Sequence, residues 1–101
     1  MPSMQLKEWR PLVKNTLRGF ATVRLPNGLI IRDITIHNKD GRMWAGMPSK
    51  PLYSKDGSPI LQSNGKQKYA FILEWESREL SDGFGDALIA LIEADHPHAL
   101  D

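Results

Sequence analysis

The chain has 101 residues, of which 41% are hydrophobic and 25% charged, with a net charge of +1 and no cysteine. This composition is typical of a globular domain, and the lack of cysteine excludes disulfides, thiol catalysis and cysteine-ligated zinc. The sequence has no apolar run near the ~18 residues of a membrane span and no signal-peptide pattern at its start. These features predict a single domain over residues 1–101 that functions in the cytoplasm.

Charge is divided unevenly along the chain. Residues 1–78 contain all 13 Lys and Arg against six acids, a net +7, whereas residues 79–101 contain six acids and no Lys or Arg, a net −6. Such a division is typical of a basic ligand-binding part beside an acidic tail, although two solvated charged faces would also produce it.

Turn signals separate short strand-like segments in the first three quarters of the chain. Each turn pairs Gly with Asn or Asp, residues that tolerate positive φ, at Asn27-Gly28, Asp40-Gly41, Asp56-Gly57 and Asn64-Gly65. Strands are predicted at about 6–13, 17–25, 29–37, 42–47 and 68–76, with a weaker one near 59–62. Short strands joined by such turns are typical of an antiparallel meander.

Residues 81–95 change to a helical period, with one apolar stripe formed by Phe84, Ala87, Leu88, Leu91 and Ile92. Ser81 is the predicted N-cap, and Pro97 is predicted to end the helix. The predicted fold is therefore α+β: a small antiparallel β-sheet meander of about five strands with one C-terminal helix packed on it. This arrangement leaves the second face of the sheet to a partner, a ligand or water.

The strand at 17–25 places basic and aromatic side chains on one face. Small and apolar residues alternate there with Arg18, Phe20, Thr22 and Arg24. Guanidinium groups beside a ring suit a nucleic-acid surface, because the former contact phosphate and the latter stacks on bases. The alternative is that Phe20 fills a dimer interface or the edge of the core while the arginines are solvated.

Two further segments have less specific patterns. The strand at 68–76 places Tyr69, Phe71, Leu73 and Trp75 on one face, which predicts a core or dimer contact. The connection 48–68 contains four lysines against Asp56 alone. Such a loop can contact phosphate or be solvated, and its sequence does not decide between the two.

No catalytic motif is evident in the sequence. It contains no glycine-rich phosphate loop, no His-Glu-x-x-His motif and no nucleophile elbow. His96 and His98 beside Asp95 form a tail in which a metal site is not expected. We therefore predict a protein that is not an enzyme and has no cofactor, no metal and no small-molecule substrate.

A longer motif spans the predicted hairpin. The segment Ile30-Ile31-Arg32-Asp33-Ile34-Thr35-Ile36 precedes a Gly-containing turn, and the next strand ends in Ala45-Gly46-Met47-Pro48-Ser49-Lys50. With the later Asp56-Gly57 pair and a single C-terminal helix, residues 18–50 resemble the stage V sporulation protein G family, also called septation regulators.

The resemblance implies a homodimer that binds DNA or RNA in bacterial regulation, with basic residues near the Met-Pro-Ser-Lys segment and around the helix. Lys50 and Arg42 match the first of these positions. The helix region from Glu79 onward has no Lys or Arg. Because an acidic helix repels phosphate, nucleic acid is expected to approach the strands and loops instead.

The sequence thus predicts a non-catalytic nucleic-acid-binding regulator that acts as a homodimer and does not bind a membrane. The predicted site residues are Arg18, Arg24, Arg42 and Lys50 for phosphate contact, with Phe20 and Trp44 as stacking rings; Trp44 could instead pack in an interface. Two alternatives remain open: a protein-interaction module that uses the acidic C-terminal helix and tail, and a dimer that binds single-stranded DNA in a curved sheet.

Overall fold

The computed structural model describes residues 4–101. Its elements are β1 Gln5–Lys14, β2 Leu17–Arg24, β3 Ile30–Lys39, β4 Arg42–Gly46, β5 Ser49–Pro51, β6 Tyr69–Phe71 and α1 Arg78–Asp95. The first four strands form one antiparallel sheet in the order β1-β2-β3-β4, and β5 and β6 form a second, two-stranded sheet. The predicted α+β class, an antiparallel meander with one C-terminal helix, is confirmed.

The turn between β3 and β4 is a two-residue hairpin, as the Asp-Gly pair predicts. Asp40 and Gly41 both have positive φ, 53° and 90°, which is the requirement of a type I′ turn. The Asn38 side chain accepts a hydrogen bond from the Gly41 N–H at 3.0 Å. The strands then pair without a register shift from Lys39↔Arg42 to Thr35↔Gly46.

The hydrophobic core lies between α1 and one face of the four-stranded sheet. Its buried members come from β2, β3, the helix and the C-terminal tail: Ala21, Val23, Ile31, Ile34, Ile36, Leu88, Ile89, Ile92 and Leu100. The tail is fixed to the sheet because the Asn38 amide donates to the carbonyl of Leu100 at 2.6 Å.

The helix begins four residues earlier than predicted. Ser77, not Ser81, is the N-cap, and its hydroxyl accepts a hydrogen bond from the Leu80 N–H. Both serines are competent caps, but the local pattern does not reveal that Arg78, Glu79 and Leu80 continue the helix outward into solvent. The predicted end is close: α1 stops at Asp95, and His96 is the C-cap just before Pro97.

The strand predicted at 68–76 is only three residues long in the structure, and it does not contribute to the core. Tyr69 and Phe71 remain 57% and 67% exposed. They belong to a projecting segment, residues 48–72, which we call the arm. Instead of a strand at 59–62, the arm has isolated bridges at Tyr53↔Pro59 and Leu61↔Gln67.

The tip of the arm is held by side-chain hydrogen bonds at the predicted Asp56-Gly57 turn. The Asp56 carboxylate accepts from the hydroxyls of Ser54 and Ser58 and from the Ser58 N–H. These bonds lower the pKa of Asp56.

Across the described chain, residues 4–101, none of the helical structure has the length and apolar character needed to cross a bilayer.

Candidate nucleic-acid interface

The face of the four-stranded sheet turned away from α1 collects the predicted aromatic and basic residues. Along β2, Ala21 and Val23 point into the core, so Phe20 and Arg24 point to the opposite side. Antiparallel partners share a face, which adds Arg10 and Thr35 beside Phe20 and places His37 beside Trp44. We call this surface the outer face.

Two arginine–aromatic pairs occupy the outer face. The Arg10 guanidinium carbon lies 5.1 Å from the centre of the Phe20 ring. The Arg42 guanidinium carbon lies 5.8 Å from the centre of the Trp44 ring. Both distances are within the range of a cation–π interaction. In each pair the guanidinium lies over the face of the ring, so a base would stack on Phe20 or Trp44 in the place of the arginine.

His37 is fixed between the two pairs. Its ring stacks on Trp44, with centroids 5.1 Å apart and planes 9° from parallel. The Thr35 hydroxyl donates to the Gly46 carbonyl, so it accepts from Nε2 of His37 at 3.0 Å. Nδ1 of His37 is then left to accept from the Thr16 hydroxyl, also at 3.0 Å.

A neutral ring satisfies both hydrogen bonds of His37. Burial, and secondly the positive charge of Arg18, lower the pKa of His37 below its ordinary value of 6.5. The ring is therefore uncharged at neutral pH and acts as a rigid support for Trp44.

Arg18, a predicted phosphate contact, bonds to backbone carbonyls in the structure. It lies at a register shift of β2, where Nη1 donates to the carbonyls of Asn15 at 2.8 Å and Leu17 at 3.0 Å. Its Nε is buried without a hydrogen-bond partner. Much of the guanidinium is thus committed to holding the β1–β2 turn, and its main contribution to a ligand is positive potential.

The other predicted residues lie apart from this centre. Arg24 is half-buried at the end of β2, at the far end of the outer face, where it pairs with Ile30. Lys50 is exposed on β5 and pairs with Ala70 in the second sheet. The structure therefore brings Phe20, Arg42 and Trp44 together with Arg18 near them, and it places Lys50 on the arm.

Sequence reasoning missed Arg10, Thr35 and His37. All three lie within predicted strands, but their partners depend on cross-strand register. A carboxylate also joins the face: Asp33, at a bulge of β3 with φ 60°, lies 3.6 Å from Arg10. This is an exposed ion pair of small energetic value, and it leaves Arg10 free to exchange partners.

The acidic helix and the outer face lie on opposite sides of the sheet. α1 packs on the core side, so its carboxylates lie across the sheet from Phe20, but Asp82 and Asp86 line one cavity with Arg42 and Trp44 at the β4 edge. The acids of α1 therefore lower the positive potential around Arg42 and Trp44 more than around Arg10 and Phe20.

In comparisons with known proteins, no family, no curated protein and no solved structure matches this chain. The chemistry of the outer face is thus assessed from its geometry. Flat rings can stack on bases, and guanidinium groups can pair with phosphate. Within residues 4–101, His, Asp and Glu side chains do not form a group of three that could hold a metal ion.

Proposed function

We propose that the protein is a non-catalytic, cytoplasmic regulator that binds nucleic acid on its outer face. The observation behind the proposal is the pair of arginine–aromatic units, Arg10–Phe20 and Arg42–Trp44, on one face of a four-stranded antiparallel sheet. Arg18 and Arg24 add positive charge to the same side. The resemblance of residues 18–50 to septation regulators points in the same direction.

The geometry of the outer face favours single-stranded nucleic acid over a duplex. A side chain embedded in a sheet face can stack only on a base that has left its own stack. Phe20 and Trp44 lie on separate strands, β2 and β4, with one strand between them. Adjacent strands are about 4.8 Å apart, so the two rings suit bases of one extended single strand of RNA or DNA.

A homodimer is part of the proposal. The arm exposes a group of large apolar side chains, Tyr53, Leu61, Tyr69, Phe71 and Ile72. Soluble proteins rarely leave such a cluster uncovered. A second copy that covers the arm would also provide a second outer face, which would strengthen binding to a longer strand.

Fluorescence anisotropy with labelled single-stranded RNA, single-stranded DNA and duplex DNA tests the proposal at low and at physiological salt. The double variant Arg10→Glu/Arg42→Glu should bind single strands at least tenfold more weakly, because phosphate contacts are lost and repulsion replaces them. The matched control is Lys55→Glu/Lys66→Glu, which makes the same charge change at exposed positions of the arm. The affinity of the control variant for single strands should stay within about threefold of that of wild type.

Three results would contradict this function. One is an absence of binding to all three ligands at low salt. Another is equal weakening by the two double variants, which would indicate a diffuse charge effect and no defined site. The third is a clear preference for duplex, which would show that the rings do not stack on bases.

A further inference from the structure

The two edges of the four-stranded sheet differ in how well they are protected against pairing with another strand. The β1 edge contains Pro11 and has register shifts at both Leu6/Glu8 and Pro11/Lys14. Proline, bulges and charges are the features that prevent an edge from pairing with another strand. β4 lacks both proline and bulge and pairs regularly with β3, so it retains a flat edge that can accept a further strand.

Two residues of β4 turn their backbone groups outward. In a two-residue hairpin, Lys39 and Arg42 exchange hydrogen bonds, and the exchange then recurs at every second pair. The N–H and C=O groups of Met43 and Ala45 therefore face away from β3. Among the residues that the structure describes, these groups have no backbone partner outside the sheet.

A groove runs between this edge and α1. Its first part is a cavity of about 300 Å³ lined by β4 from Arg42 to Ala45 and, on the helix, by residues that include Arg78, Asp82 and Asp86. Its second part, of about 370 Å³, continues past Gly46 and Met47 to Trp75. Ala45, Arg78 and Ser81 line both parts, so the groove is continuous along the strand.

The helix comes close to the edge at Gly85. A Cβ at this position would lie 3.6 Å from the backbone nitrogen of Ala45, so the helix approaches β4 at this point with no side chain between them. From Arg42 to Met47 the strand provides about 3.3 Å per residue, enough length for an extended peptide of four or five residues.

Trp75 lines the second part of the groove. Its ring packs against Phe84, with centroids 5.0 Å apart, and its indole Nε1 is buried without a hydrogen-bond partner. Because this nitrogen is closed off from solvent, a ligand in the groove would meet the ring of Trp75.

Charge indicates which kind of chain fits. The charged side chains that line the groove are Arg42, Arg78, Glu74, Glu76, Asp82 and Asp86, two positive against four negative. A net negative groove favours a basic ligand. It also disfavours a second copy of the same edge, since a symmetric pairing would bring two acidic rows together.

We propose that an extended, basic segment of a protein partner binds in this groove as a fifth strand beside β4. Its backbone pairs with Met43 and Ala45, and its basic side chains face the carboxylates of α1. This is a mode in which main-chain hydrogen bonds provide affinity and side-chain positions provide specificity. The site goes beyond the nucleic-acid function; it adjoins the outer face and shares Arg42 and Trp44 with it.

The test uses synthetic pentapeptides as probes of the full-length protein. The basic probe is acetyl-Lys-Val-Lys-Val-Lys-amide, and the acidic one replaces each lysine by glutamate. Two further versions of the basic probe carry N-methyl groups, one on both valines and one on the central lysine. Chemical shifts of the backbone amides in ¹⁵N-labelled protein measure binding, and we expect the basic probe to shift Met43 and Ala45.

The expected pattern follows from strand geometry. Only alternate amides of an added strand face β4, so one N-methylated probe should lose at least tenfold in affinity while the other binds like the parent probe. The variant Asp82→Lys/Asp86→Lys should bind the basic probe at least tenfold more weakly. Its matched control, Glu93→Lys/Asp95→Lys, makes the same charge change on the helix outside the groove. The affinity of this control for the basic probe should stay within about threefold of that of wild type.

Several outcomes would overturn the proposal: no shifts with millimolar basic probe, equal binding of the acidic probe, equal effects of the two N-methylated probes, or equal losses in the two protein variants. Sedimentation provides a further check. If Asp82→Lys/Asp86→Lys alone dissociates a wild-type dimer, a second copy occupies the groove. Arg10 does not line the groove, so Arg10→Glu should weaken single-strand binding and leave the shifts caused by the basic probe unchanged, which distinguishes failure of one site from failure of the other.

Discussion

At the scale of single residues, His37 links the stability of the sheet to the geometry of the outer face. Its two ring nitrogens are held by Thr16 and Thr35, and its ring supports Trp44. A proton on Nδ1 would turn an acceptor into a donor that faces the Thr16 hydroxyl, and it would add a charge near Arg18. Protonation should therefore loosen both the β1–β2 turn and the Trp44 ring.

The pH dependence of folding follows from the sign of the pKa shift. The folded-state pKa of His37 is lowered from 6.5, so the unfolded chain binds this proton more readily. The stabilisation is fully present above about pH 6.5 and is lost as pH falls through the folded-state pKa. Urea unfolding at pH 7.5 and 5.5 should show that His37→Gln loses less stability over this interval than wild type does. An equal loss would exclude His37 as the source.

At the scale of elements, two glycines show how packing decides the effect of one methyl group. A Cβ on Gly19 of β2 would lie 2.6 Å from the Arg10 carbonyl and 2.6 Å from the Trp9 ring, and the backbone cannot move aside. A Cβ on Gly83 of α1 would meet nothing within 4 Å. Gly19 is thus required by close strand packing, whereas Gly83 only weakens its helix.

The two substitutions to alanine should therefore change the free energy of unfolding in opposite directions. Gly19→Ala should lower it by about 1–3 kcal/mol through overpacking. Gly83→Ala should raise it by about 0.5–1 kcal/mol, because alanine is the better helix former. Thermal and urea denaturation measure both. A neutral Gly19→Ala would mean that β1 and β2 are not packed as closely as the structure has them.

Elements set by neighbouring residues were predictable, and those set by distant ones were not. The Asp40-Gly41 hairpin and the end of α1 depend on a few adjacent residues, and in both cases the structure agrees with the prediction from sequence. The pairing of Arg10 with Phe20 depends on the register of β1 against β2, including its bulges, which no local pattern reveals. The apolar alternation from Tyr69 to Trp75 indicated a buried surface, but it could not indicate that the arm projects from the domain.

At the scale of the whole molecule, the sheet separates two chemistries. The outer face is basic and aromatic and the helix side is acidic, and the two meet at the β4 edge, where Arg42 and Trp44 line a cavity with Asp82 and Asp86. The arm is the third surface, and it exposes large apolar side chains together with four lysines. Three surfaces of distinct character suit a protein that joins nucleic acid, a second copy of itself and a basic partner.

The oligomeric state is the prediction that belongs to this scale. A stable interface covers about 800 Å² on each partner, and the arm concentrates exposed apolar side chains in one segment. The 11.4 kDa chain should therefore sediment as a dimer, and Phe71→Lys should yield a monomer at concentrations where wild type is dimeric. Leu80→Lys is the control, because Leu80 is also half exposed but lies on α1. A monomeric wild type, or equal dissociation by both variants, would show that the arm is not the dimer surface.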